Sequence, residues 1–390
     1  MSALQPAAAA LTASLGRDAS GFSLFGHPSR QFNCAWRPGD SSTLASVGED
    51  GCLRLWDCGA ARAQRLSLRA WRDEALRCAW SPGGGQLVAA AGADGKVMVW
   101  HCAAWDAEGA AEGTEEDRVR RHRTQLSAGS EEVYALQFDG GGTGLMAACG
   151  SAVGVYDVAT GQLRAGHEYE KSSAGVSVGG QKNPEDAAFV FDAALGGGAG
   201  GELLAVAMSD GSVRLQDLRE RGESLGAIQT TEPLTSVVWA PDGTTLAGCG
   251  GQGGLFVWDV RVTAALRATG HSASGRTVFG ACFAQPDGLL LSWDAAGSVV
   301  CWDSGGSGDL APLSSWAGGE RAPLYCCAYD AESQRLALAG SGEAGQMGLP
   351  LLVRDAACVV NKALLTQTSL VDDALEDAGA AGVDEPASSL

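Results

Sequence analysis

An all-β fold, a single seven-bladed β-propeller of four-stranded antiparallel blades, is predicted by three observations on this 390-residue chain. One strand ending recurs through the sequence. A second strand, ending in an aromatic residue, keeps step with it. Tight acidic-glycine turns sit between them. Each element is justified in order below.

The recurring ending is an apolar run closing on Asp or His. It appears as CLRLWD at Asp57, KVMVWH at His101, AVGVYD at Asp157 and SVRLQD at Asp217. It returns as GLFVWD at Asp259, SVVCWD at Asp303 and PLLVRD at Asp355. The shorter intervals, such as Asp57 to His101 and Asp217 to Asp259, match the roughly 40–45-residue period of a four-stranded blade. Apolar alternation in CLRLW and KVMVW supports strands. The innermost strand of each unit is expected to end at Trp36, Trp80, Phe138, Phe191, Trp239, Phe283 and Tyr329. A small-apolar strand follows each, from LASV to LALAG. The turns EDG, ADG and SDG at 49–51, 93–95 and 209–211 are strong hairpin signals, because glycine accepts the positive φ they need. The 56 glycines, spread along the chain, suit a fold built on such turns.

These residues resemble the WD40-repeat β-propeller family over about 22–365. The resemblance implies blades whose strands run outward from a central channel. It also implies a tetrad of His, Ser or Thr, Asp and Trp, and the first unit matches in full with His27, Ser46, Asp50 and Trp56. Gly-His recurs at His167 and His271 and implies a structural role there. Other units depart from the pattern, with Gln252 and Ala296 where Asp is expected and Gln216 and Arg354 in the Trp seat. Family members close the ring by pairing an N-terminal strand with the last blade. GFSLF at 21–25 is favoured for that role over CVVNKALLT at 358–366.

The expected domain plan is a disordered N-terminal segment at 1–20, a propeller at 21–366 and an acidic disordered tail at 367–390. Surface insertions are expected at about 104–124 and 168–185, where the repeat interval is too long for one blade. The start of the chain is Ala-rich, and an organelle transit peptide is the disfavoured alternative there.

The net charge of −19 argues against direct nucleic-acid binding, which leaves a basic footprint. It suits a basic protein or peptide partner, or solubility alone. No apolar run has the length of a membrane span. The 12 cysteines contain no C-x-x-C, so a zinc ribbon is unsupported. Cys34, Cys78 and Cys327 occupy matching strand seats, as do Cys149 and Cys249, which reads as small buried apolar residues. Free thiols favour a reducing compartment, the cytoplasm or nucleus. Five histidines are present without an H-E-x-x-H pair. GCGGQG at 248–253 lies in a strand-to-strand turn rather than before a helix, so it does not mark a nucleotide site. No catalytic, metal or cofactor residues are expected, and no small-molecule substrate.

The function expected is a non-catalytic scaffold or recognition module in a multiprotein complex. The family resemblance implies a partner over the channel. Candidate residues for that face are Arg30, Glu49, Trp71, Glu74, Glu132, Glu185, Ser209, Pro233, Thr277 and Pro323. Its four glutamates form the expected acidic patch, with Trp71 as aromatic anchor. A second expectation uses WDVR at 258–261, similar to the box found in substrate receptors of cullin-4 ubiquitin ligases. There Arg261 would contact the adaptor, with Arg219 in LQDLR as a weaker copy. An enzyme with an unrecognised site is the minor alternative.

Overall fold

A computed structural model describes residues 21–102, 123–169, 189–197, 202–220, 223–262, 265–284, 288–306, 308–317, 323–341 and 351–356. The expected termini, the 358–366 segment and most of both insertions lie outside the described residues. Arg123 and Thr124, assigned from sequence to an insertion, begin the outer strand of blade two. Glu168 likewise ends the outer strand of blade three.

Seven antiparallel sheets form the blades. The innermost strands are Gln31–Arg37, Ala75–Trp80, Val133–Phe138, Val190–Gly197, Leu234–Trp239, Val278–Ala284 and Leu324–Asp330. Each packs against the next, and the seventh returns to the first, so the ring is closed. Blade five carries one extra two-residue strand, Gly308–Asp309, pairing in parallel with Ala265–His271. The last blade takes its outer strand from the N-terminal side. Gly21–Leu24 pairs antiparallel with Leu351–Arg354. Closure in this way leaves no open seam between the ends of the ring.

The second strand of every blade is buried on both faces by its neighbours. This is why it reads as an unbroken run of small apolar residues rather than an alternation. Ala45, Val47, Val88, Ala89, Ala147, Ala148, Ala205, Val206, Ala247, Leu290, Leu291 and Ala337 are all nearly inaccessible. The core is therefore a set of clusters between blades. One joins Ala45, Leu55, Trp80 and Val88 across blades one and two, and another joins Leu24, Trp36, Trp56 and Val353 across blades one and seven.

Backbone groups on the innermost strands cannot all be paired within a blade. The structure satisfies several across blade boundaries, as buried polar groups require. Trp36, Trp80 and Trp239 donate their indole N–H to Ala328 O (3.1 Å), Ala35 O (3.0 Å) and Ala194 O (3.0 Å) of the preceding blade. Asn33 Oδ1 accepts Cys78 N–H at 3.1 Å and Asp192 Oδ2 accepts Val237 N–H at 3.0 Å. Gln137 bonds both backbone groups of Leu195, at 2.8 and 2.9 Å. Burial pushes the Asp192 carboxyl above its usual range.

Blade four corrects one strand assignment. Its register sets Leu195 opposite Leu204, as Trp36 faces Leu44 and Trp239 faces Leu246. Leu195, not Phe191, therefore ends this strand in the equivalent seat. Phe191 lies four residues earlier, near the strand's start. The sequence misled because the true seat is not aromatic.

Candidate functional site

The tetrad of blade one is assembled as expected. Trp56 Nε1 donates to Ser46 Oγ at 2.8 Å, and Ser46 Oγ lies 2.8 Å from His27 Nε2. His27 Nδ1 lies 3.1 Å from Asp50 Oδ1. A neutral imidazole satisfies this chain, accepting from Ser46 and donating to Asp50. Asp50 also accepts from Cys52 N–H at 3.2 Å, which pins the turn to the next strand. At the turn itself Gly51 has φ of 68°, and a Cβ there would sit 2.4 Å from Asp73 O. Only glycine fits this turn against the loop that lies over it.

Arg54 is the unexpected member, a mostly buried cation whose guanidinium donates to Asp50 and lies beside His27 Nδ1. Burial lowers the His27 pKa, against the Asp50 hydrogen bond and with the nearby Arg54 charge. Burial alone would raise the Asp50 carboxyl. Its bonds to His27 and Arg54 outweigh that and hold it at about 2.

Both shifts make acid destabilising. The unfolded chain takes up the His27 proton first, so that contribution is complete above about pH 6.5 and fades below it. The Asp50 contribution is complete above about pH 3.8 and is lost as pH falls towards 2. Asp50→Asn should therefore melt well below the wild type at pH 7, with the difference shrinking towards pH 2. Melting curves across that range check it, and a constant difference would contradict the linkage.

The other blades reach the same end with different residues. In blade six Asp294, two positions before Ala296, caps the turn by accepting from Ala296 N–H and Ser298 N–H, both at 2.9 Å. Ser272 and Ser274 donate to it, and Trp302 Nε1 donates to Ser292 Oγ at 2.8 Å. In blade five buried Glu232 accepts from Gln252 N–H and, at 2.9 Å, from Gly254 N–H, supplying the carboxylate that Gln252 lacks. In blade four Gln216 accepts from the buried Tyr169 hydroxyl at 2.9 Å, so Tyr169 takes part of the missing Trp's place. The structural role expected for His167 and His271 is overturned. Both are exposed on outer strands.

The candidate face forms where innermost strands begin and second strands end. Backbone bonds bring these two groups together in six blades: Glu49 N–H to Arg30 O, Ala93 to Glu74, Ser209 to Phe189, Gly251 to Pro233, Ala295 to Thr277 and Ser341 to Pro323. Thus Arg30, Glu49, Glu74, Ser209, Pro233, Thr277 and Pro323 share one end of the ring. Glu132 immediately precedes the third innermost strand, Val133–Phe138, on that end. Glu185 lies outside the described residues. The seat it was assigned belongs to Phe189, in line with the phase correction in blade four.

Two expectations for this face change. Trp71 is only 3% exposed, packed edge-on against Trp100 with its indole N–H on Lys96 O at 3.2 Å. It is core and cannot anchor a partner. Glu49 is engaged by Arg30 at 2.8 Å, which also lies 3.9 Å from Glu74. The less compensated acidic residues are Glu74, Glu132 and the neighbouring exposed Glu131.

Sequence reasoning missed the rings at the channel mouth. Every innermost strand has a bulge after its first residue. A bulge re-aims the extra side chain. The bulged residues are Phe32, Leu76, Tyr134, Phe191, Thr235, Phe279 and Tyr325, five of them aromatic. Tyr325 touches Phe32 and Phe279, with ring centroids 5.7 and 5.3 Å apart. Tyr134 lies 6.5 Å from Phe189. None of these rings is buried. Below them the channel holds a cavity of about 330 Å³ lined by Asn33, Arg77, Gln137, Asp192 and Ser236 among others. The available signal was an aromatic residue four positions before the strand-ending aromatic, as in Phe32–Trp36 and Tyr325–Tyr329.

At the opposite ends of two blades, Arg261 and Arg219 are presented alike. Arg261 forks onto Asp259 at 3.0 and 2.6 Å, and Arg219 onto Asp217 at 3.0 and 2.6 Å. These guanidiniums, with backbone N–H bonds, hold both carboxyls at about 2. Both arginines remain largely exposed.

The arrangement is a rigid ring presenting loops and rings, with no cluster of three metal-ligating side chains among the described residues. Its class is a seven-bladed all-β propeller. Residues 20–57, 65–101 and 222–259 match the family model described as WD domain, G-beta repeat. Each match spans an outer strand and the three inner strands of the next blade, which is the unit the closed ring repeats. Together with the seven blades, these matches support a WD40-repeat β-propeller. No curated protein matches it.

Proposed function

We propose that this protein is a non-catalytic recognition scaffold whose channel mouth receives a basic segment of a partner protein. WD40 propellers commonly serve as protein-interaction scaffolds. The observation that carries this reading is the set of unburied aromatic rings at the mouth, one of which, Tyr134, lies near Glu74, Glu131 and Glu132. Cations bind over aromatic faces, and buried aromatic contacts dominate interface energetics. Arg30, stacked 5.7 Å from the Phe32 ring centroid, illustrates that chemistry within the chain itself. The overall charge of −19 would speed encounter with a basic partner. A reducing compartment, the cytoplasm or nucleus, suits the eleven free cysteines among the described residues.

A second reading, substrate receptor of a cullin-4-type ubiquitin ligase, is favoured by the exposed Arg261 held rigid by Asp259 in WDVR. One experiment separates the two. Tagged wild type, Glu74→Arg with Glu132→Arg, and Arg261→Ala are immunoprecipitated from the native cell and bound proteins identified by mass spectrometry. The double variant should lose the partner set roughly ten-fold, a change equivalent to about 1.4 kcal/mol. Unchanged capture sinks the mouth reading. A ligase adaptor lost with Arg261→Ala establishes the second.

A further inference from the structure

The two blades that meet where the ring closes each place a cysteine on the innermost strand. Cys34 of blade one and Cys326 of blade seven are 292 positions apart in sequence, with their sulfurs 4.0 Å apart. Both are buried, but Cys326 lines the channel cavity, which opens a path for a small solute. Asn33 Nδ2 donates to Cys326 Sγ at 3.4 Å. We propose that Cys34 and Cys326 are an oxidant-sensitive thiol pair, a modification site that on oxidation by hydrogen peroxide staples blade one to blade seven.

The chemistry balances with peroxide as the oxidant. The Cys326 thiolate sulfur attacks one peroxide oxygen, the O–O bond breaks, and the hydroxide released takes a proton to leave as water. Cys326 is then a sulfenic acid. The Cys34 sulfur attacks that sulfur as its thiol proton passes to the departing hydroxyl, the S–O bond breaks, the S–S bond forms, and a second water leaves. Two thiols give up two electrons to one peroxide. A disulfide needs its sulfurs at about 2.05 Å, so side-chain rotation must close about 2 Å.

The order of attack follows from the surroundings. The Cys34 thiol, and more distantly the Arg77 charge, favour the Cys326 thiolate against its burial. Cys34 itself is pushed up by its bond to Cys326 and by burial. Burial pushes Cys58, Cys282 and Cys301 up to about 12, which keeps them as inert thiols. A reactive cysteine needs both thiolate character and access. Cys326 combines them.

The test uses the full chain. Purified reduced protein is titrated with hydrogen peroxide, its free thiols are alkylated, and it is digested without reductant for mass spectrometry. The expected product joins the Cys34 and Cys326 peptides before other cysteines react. Melting temperature should rise and return with dithiothreitol, because a long loop has been closed. Cys34→Ser should abolish the cross-link and leave a Cys326 sulfenic acid that dimedone traps. Cys34→Ala provides the second variant should the serine not fold. The proposal is overturned if both cysteines survive as thiols while others oxidise. It is equally overturned if Cys326 proceeds to the sulfinic acid with Cys34 still free in the wild type.

Discussion

Trp56→Ala should destabilise the protein by about 3–5 kcal/mol, on the scale of large aromatic truncations in cores. The expected drop in melting temperature is about 5 °C. The reason is that Trp56 serves two structures at once. Its ring is 1% exposed and packs in the cluster that joins blade one to blade seven, with Leu24, Trp36, Leu351 and Val353. Its indole N–H begins the chain through Ser46 and His27 to Asp50. Alanine opens a cavity at the ring's seam and leaves Ser46 without its donor. Trp56→Phe separates the two effects. It keeps most of the apolar contact and loses only the N–H, so it should cost about 1–2 kcal/mol, as an orphaned hydrogen-bond partner does. Denaturant unfolding of both variants is the measurement. If alanine and phenylalanine cost the same, packing at the seam is not what Trp56 contributes.

The same residues show how far sequence reaches. Blade one was legible because His27, Ser46, Asp50 and Trp56 keep the expected types at the expected intervals. The blade count was legible because each third strand ends on the same chemistry. What failed was substitution in space. Asp294 caps a turn from two positions upstream of Ala296, and Glu232 caps one from the preceding loop. Both conserve a carboxylate at a point in space while abandoning its place in the sequence. Trp71 failed for the opposite reason. Its loop position was assigned well enough, but only packing against Trp100 reveals that the ring turns inward. The mouth rings depend on a bulge repeated in every innermost strand, and a bulge adds a residue without marking itself in composition. Cys34 and Cys326 meet only because the ring closes, so no local pattern could pair them.

Ring closure should itself carry a large share of stability. Removing residues 1–24 deletes the outer strand of blade seven and leaves Leu351–Asp355 as an exposed edge. Leu24 is 1% exposed in the seam cluster, and losing its side chain alone is expected to cost about 2–5 kcal/mol. The deletion also removes the Phe22 ring, over which the Arg62 guanidinium sits at 4.7 Å. The consequence is not stability alone. An apolar strand edge with free N–H and C=O groups pairs with whatever edge it meets, including the same edge of a second copy. The truncated chain should therefore melt well below the wild type and self-associate, read by light scattering after size exclusion. A chain lacking only 1–20 isolates the strand's share, and Leu24→Ala keeps the ladder while losing the packing. That alanine variant should be destabilised yet remain monomeric. If the 1–24 deletion stays monomeric and melts with the wild type, the N-terminal strand does not hold the ring shut, and the seam must be carried by the innermost-strand contacts alone.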